Sequence, residues 1–176
     1  GSYYMTLVKK DEPGQGKVFR DVNEAMMAYD EGDITLHSII KNRMTKEING
    51  KLCTKFLQTT LGRVIFNRPV PQDLGFVKRD TSDPDSMVQM EAEFVVDKKQ
   101  LGKIIDHCIK LYGTSETAIV LDNIKATGFK YSTRGAITVA VSDAIIPPQK
   151  KDIIANAEKK IDEVKKMYRR GFLTNT

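Results

Sequence analysis

Few residues in this sequence are arranged for chemistry, and Arg134 is the most suggestive of them. It stands beside Gly135, after Gly128 and ahead of the apolar run Ile137–Val141, within GFKYSTRGAITVAVSDAIIPP (128–148). A long cation just before a strand can be held rigidly and still reach a solvent-filled space. The plain alternative is a surface arginine in a helix-to-strand connection. Asp80, Asp83 and Asp85 form the densest carboxylate group but lack the spacing and turn glycine of an EF-hand loop. Asp122 and Asp143 are single carboxylates without a second group for acid–base work. Cys53 and Cys108 are far apart, with no CxxC and only His37 and His107 as further soft ligands, so zinc and a disulfide framework are both disfavoured. No nucleophile triad, P-loop or GxGxxG is present, and no catalytic residue or metal ligand is assigned.

The elements that must position Arg134 follow from local signals. Tyr3–Val8 reads as a strand that begins abruptly, and Gly1-Ser2 as a cleavage remnant to be set aside. Asp21 caps a short helix with Glu24 three positions on, and Gly32 stops it. Ile34–Ile48 and Lys51–Leu57 are β-rich and meet at Asn49-Gly50, a strong hairpin signal. Thr59 or Thr60 caps a helix Leu61–Asn67 that ends before Pro69, with Arg63 on it as a candidate contact or a solvated arginine. Val70–Glu93 reads as loop, and Phe94–Val96 as a short strand. Lys98–Tyr112 is an amphipathic helix stopped by Gly113, and a second, capped by Thr114 or Ser115, runs to Gly128, so the two should pack as an antiparallel hairpin. Cys108 is most simply a small buried hydrophobe.

The last helix, Lys150–Arg170, carries Ile154, Ala157, Ile161, Val164 and Tyr168 at the alternating spacing of a coiled-coil seam. Something must bury such a seam, either a second copy or a further helix. Gln149–Arg170 holds eight Lys/Arg against four Asp/Glu, most of the net charge of +5. That excess suits nucleic acid or an acidic protein, and a solvated helix face explains it equally well.

The fold class expected is α+β: a β-rich N-terminal half with the hairpin, and a helical half ending in one helix of an antiparallel coiled coil, with Ile137–Val141 returning to the sheet. Residues 1–148 are taken as one domain and 149–176 as the coiled-coil helix. With 40% hydrophobic and 29% charged residues the composition is that of an ordinary globular protein. No apolar run approaches the length of a membrane span and no signal-peptide pattern is seen, so a cytoplasmic location is expected.

Five stretches, in order, resemble the bacterial DNA-directed RNA polymerase β′ subunit: YYMT (3–6), GKVFRDVNEAMMAYDEGDITLHSIIK (16–41), TTLGRVIFN (59–67), GFKYSTRGAITVAVSD (128–143) and AEKKIDEVKKMYRRGFLT (157–174). In that family an NADFDGD stretch upstream holds the catalytic magnesium, and a second coiled-coil helix follows downstream. Neither is found in this sequence. The resemblance therefore implies a non-catalytic, internal piece of a nucleotidyltransferase, from the pore and secondary channel, with Mg2+ needed by the parent enzyme and no cofactor of its own. It places Arg134 opposite the triphosphate of the incoming nucleotide, a task suited to a guanidinium that stays charged and presents a planar fork of donors. Lys130, Tyr131 and Thr133 neighbour it, and related sequences carry serine where Gly135 stands, which implies a looser backbone here. The last helix becomes the first strand of the rim coiled coil, with Lys159, Lys160, Lys165, Lys166, Arg169 and Arg170 docking transcript-cleavage-type factors. The implied partners are the β, α and ω subunits, the DNA template, RNA and nucleoside triphosphates. The reading from a different class is a free-standing basic module that binds nucleic acid or protein through the last helix.

Overall fold

The computed structural model describes residues 1–48, 50–80 and 82–172. The described chain divides into two compact units, Gly1–Ile137 and Thr138 onward. The first unit holds a three-stranded sheet in the order β1-β2-β3, and helices make up most of the C-terminal half, an α+β arrangement.

Strands β2 (Ile39–Ile48) and β3 (Lys51–Thr60) pair antiparallel from Ile39↔Thr60 to Ile48↔Lys51, a two-residue connection. Gly50 there has φ +74°, as a tight hairpin turn demands, while Asn49 lies outside the described residues. The short β1 (Val18–Phe19) lies parallel to β2 on its other edge. β2 starts later than the sequence suggests. Residues 34–38 are a buried turn in which Ser38 Oγ accepts from Thr35 N at 2.9 Å.

Local signals set two helices as expected. In α2 (Val22–Asp30) the Asp21 carboxylate accepts from Glu24 N at 2.9 Å, and Gly32 at φ +84° ends the element. Helix α3 (Leu61–Asn67) is capped by Thr60, whose Oγ1 accepts from Arg63 N, a cap that contributes about 1 kcal/mol. Six of its seven residues are buried, so it is the centre of the core with Met5, Ile34, Ile40, Val96 and Ile104 around it. Cys108 is buried in the same cluster.

Tyr3–Val8 is not a strand. Ser2–Thr6 forms the short helix α1, and Ser2 belongs to it, its carbonyl accepting from Thr6 Oγ1 at 2.9 Å. Aromatic content raised the strand expectation, but packing decides. α1 lies so close to α3 that a Cβ added at Gly62 would sit 2.0 Å from Met5 O. Thr6 Oγ1 also accepts from Val96 N at 2.8 Å, which gives the Phe94–Val96 stretch a partner without forming the expected strand. Val70–Glu93 is irregular in backbone but packed. It contains α4 (Pro84–Val88) and buries Val70, Leu74, Met87, Val88, Met90 and Ala92.

Helix α5 runs from Lys98 to Arg134 with a break at Gly113, at φ +76° and ψ −178°. Leu101 before the break and Leu121 and Ile124 after it line one cavity of about 310 Å³. In a straight helix Leu101 and Ile124 would be about 34 Å apart. The two segments therefore fold back on each other, as expected. Gly128 does not stop the second segment, which continues to Arg134. Its end is made by Ala136 at φ +48°, with Ala136 N donating to Thr133 O and Ile137 N to Ser132 O, a Schellman closure.

Ile137–Val141, which starts at the last residue of the first unit, does not form the expected strand. Val139 and Val141 are exposed, Val141–Asp143 makes one 3-10 turn, and apolar alternation without a partner strand does not make a ladder. Helix α6 (Lys150–Arg169) matches the sequence reading, and none of its residues is buried. Among the described residues, no helix is long and apolar enough to cross a membrane.

Candidate functional site

Arg134 is the last residue of α5 and not the residue before a strand. A cation at a helix C-terminus faces unsatisfied carbonyls and is favoured there. Its Nη2 donates to Asp30 Oδ1 at 2.9 Å, across 104 residues of sequence. The guanidinium carbon also lies 5.1 Å from the Tyr29 ring centre and 5.9 Å from that of Tyr131. Asp30 and Tyr29 come from the last turn of α2, so two helix ends aim the arginine. The hydrogen bond to Asp30, aided by the neighbouring ring of Tyr29, holds the group still more firmly in its charged form. Burial pushes the Tyr131 hydroxyl up, keeping that ring neutral beneath the cation.

The Arg134 side chain remains 41% exposed. Asp30 engages Nη2 and two aromatic rings lie nearby, while among the described hydrogen bonds Nε and Nη1 have no acceptor and could meet oxygens of an anion. Lys130 Nζ lies 5.6 Å from the Tyr131 ring centre, on the same short stretch of helix. Gly135 has an ordinary φ of −74°, a conformation open to any residue. What the glycine supplies is room: a Cβ would come within 2.8 Å of the Tyr4 ring.

Arg63 is not a solvated arginine. Its side chain is 16% exposed, Nε donates to Thr6 O at 3.2 Å and Nη1 lies 3.7 Å from Glu93 Oε2. It ties α3 to α1 and to the irregular segment. The acidic trio has partners within the fold: Asp80 accepts from Ser82, Asp83 from Asp85 N, and Asp85 pairs with Lys55 of β3.

The six basic residues Lys159, Lys160, Lys165, Lys166, Arg169 and Arg170 lie in or at the end of α6, all exposed. At about 100° per residue, Lys159, Lys166 and Arg170 fall opposite the seam of Ile154, Ala157, Ile161, Val164 and Tyr168, while Lys160 and Lys165 flank it. The helix therefore separates a charged face, on which Asp152 and Glu163 accompany Lys159, Lys166 and Arg170, from an apolar one.

One charged group escaped the sequence reading altogether. Glu91, with a side chain 1% exposed, accepts from Arg79 Nη2 at 3.1 Å and from the backbone of Phe76 and Val77. Arg79 also donates to the carbonyls of Gln72, Met87 and Gln89. Lys46 and Glu93 lie near this pair, and burial pushes the Glu93 carboxyl above the usual carboxylate range. Nothing in a run of polar loop residues announces such a cluster, because its members meet only when the loop folds back on β2.

The family model for RNA polymerase Rpb1, domain 3 matches residues 1–144. The chain is 51% identical over 175 residues to the DNA-directed RNA polymerase subunit beta' of Acetivibrio thermocellus. It is 49% identical over 174 residues to that of Clostridium novyi and 48% identical over 175 residues to that of Caldicellulosiruptor saccharolyticus. Each match covers 99% of this chain but only 14–15% of the relative's length. With the model spanning residues from Tyr3-Tyr4 through the Arg134 site, the chain belongs to the family of RNA polymerase Rpb1, domain 3.

Proposed function

We propose that this chain works as part of the pore and secondary channel of a bacterial RNA polymerase β′ subunit. It makes no bonds itself; it contributes Arg134 to binding the triphosphate of the incoming nucleotide. The observation that carries the reading is the anchored guanidinium, fixed by Asp30 and Tyr29 yet still 41% exposed, in a chain of this family. A preorganised cation of this kind positions a phosphate chain and offsets charge that develops during phosphoryl transfer. The Mg2+ that such a transfer needs would be held by other parts of the parent enzyme, beside the β, α and ω subunits, the DNA template and the RNA. In the same reading α6 docks transcript-cleavage-type factors through its basic residues.

The test is Arg134→Ala in a whole polymerase carrying this segment, with the KM for nucleotide and the maximal extension rate measured on a defined template. A charge-assisted hydrogen bond contributes about 1.5–3 kcal/mol, so a rise in KM of roughly tenfold or more, or slowed extension, is expected with assembly intact. Unchanged kinetics would return Arg134 to a structural role. The isolated chain is expected to synthesise no RNA.

The exposed basic residues of α6 favour a second reading, a module that binds nucleic acid or an acidic protein directly. That reading requires binding that weakens steeply with salt. Absence of binding at low salt removes it.

A further inference from the structure

A cavity of about 540 Å³ opens beside β2, with Lys46, Glu47, Gln72, Asp73, Arg79 and Glu91 among its lining residues. Two cations share one acceptor in it. Lys46 Nζ donates to Gln89 O at 2.8 Å, and Arg79 Nη1 donates to the same oxygen at 3.1 Å. The second partner of Lys46 is Gln72 Oε1 at 3.3 Å, so both its hydrogen-bond acceptors are neutral oxygens. Arg79 has a carboxylate to itself in Glu91, at 3.1 Å.

Such surroundings act on the ammonium in a definite direction. Half-buried beside a guanidinium, it loses solvation and meets a like charge, and both disfavour the protonated form. Glu91 and Glu93 pull the other way, and Glu47 and Asp73 complete the charged lining. Burial wins, and the Lys46 amine is brought down to about 8. Near neutral pH a minor but substantial fraction of that amine is unprotonated, and that fraction, with a cavity in front of it, is a nucleophile.

We propose that Lys46 is an acylation site, whose neutral amine takes an acyl group from a small, uncharged, activated carbonyl donor admitted to this cavity. The Nζ lone pair attacks the carbonyl carbon and a C–N bond forms. The bond from that carbon to its leaving group breaks, the leaving group takes the electron pair, and the surplus amine proton passes to water. The product is a neutral amide, which removes the unfavourable ammonium from beside Arg79. Three lining carboxylates against two cations select against anionic donors.

The test uses the whole chain, labelled with limiting acetic anhydride at pH 7 and at pH 11, with acetylation of each lysine quantified by peptide mass spectrometry. At pH 7 an amine of pKa about 8 is roughly one-tenth neutral, against less than about one-thousandth for an ordinary lysine near 10.4. Lower basicity offsets part of that gain, leaving an expected advantage of roughly tenfold for Lys46 over Lys150, Lys159 and Lys166. The advantage should vanish at pH 11, where ordinary amines are neutral too. Labelling of Lys46 no faster than the α6 lysines at pH 7, or an equal advantage at both pH values, overturns the proposal. Acetyl phosphate in place of the anhydride should label Lys46 with a smaller advantage; an equal one overturns the assignment of an uncharged donor.

Discussion

The first unit turns two of its arginines, Arg63 and Arg79, inward, and α6 keeps all of its charges outward. In the first, Arg63 and Arg79 each cross from one segment to another and donate to backbone carbonyls, at Thr6 for the former and at Gln72, Met87 and Gln89 for the latter. In α6 no residue is buried, and the backbone satisfies its own hydrogen bonds within the helix. The contrast has a physical source. Residues 70–93 have little regular structure, so their carbonyls need partners from elsewhere, and arginine offers five donors from one side chain. A long helix has no such need, so its lysines and arginines remain free for solvent or a partner. Residue type is the same in both regions; what the cation does is decided by whether the local backbone is self-sufficient.

The largest expected effect comes from taking the inward charge away. Arg79→Ala leaves Glu91 buried without its cation and strips donors from three carbonyls. A loss of about 3–5 kcal/mol in urea unfolding is expected. A loss below about 1 kcal/mol would mean that the inward cations are no more structural than those of α6. Next is Gly62→Ala, which places a methyl 2.0 Å from Met5 O and forces α1 off α3, at a cost of about 2–3 kcal/mol. Hydrogen exchange should then rise at Val96, whose amide is held by Thr6 Oγ1.

A much smaller effect is expected where the first unit ends. Ala136 adopts φ +48° to close α5, a conformation that costs an L-residue about 1 kcal/mol. Ala136→Gly relieves that cost but adds freedom to the unfolded chain, so a net gain of about 0.5 kcal/mol is expected in the urea midpoint. Because Ala136 follows Arg134 so closely, the same variant shows whether the rigid helix end matters to the arginine.

Legibility in the sequence follows the same division. The caps at Asp21 and Thr60, the hairpin connection, the break at Gly113 and the whole of α6 were readable because each is settled by a few adjacent residues. α1, the 94–96 stretch and Ile137–Val141 were misread as strands, since aromatic and β-branched content signals a strand only where a partner strand exists. Gly128 looked like a stop because glycine permits a helix end; the end came at Ala136, where the closing hydrogen bonds are. Arg134 itself stood out in sequence, but its partners Asp30 and Tyr29 lie over a hundred residues away and could not. Lys46 and Arg79 were invisible for the same reason.

The weakest expected effect probes the outward side of the comparison. Lys165 flanks the seam of α6 and Lys166 lies on the face opposite it, so neither side chain covers core or holds a distant carbonyl. Alanine is the better helix former by a few tenths of a kcal/mol, which roughly offsets the loss of spacing-three and spacing-four pairs with Asp162 and Glu163 one turn back, about 0.2–0.5 kcal/mol each. Lys165→Ala and Lys166→Ala should therefore leave stability within about 0.5 kcal/mol of the parent chain, and helix content by circular dichroism unchanged or slightly higher. A loss comparable to that of Arg79→Ala would show these cations to be engaged in the folded chain. The small change expected leaves them available to a partner, so a drop in affinity for a secondary-channel factor or for nucleic acid in the same variants could be read as lost contact and not as lost fold.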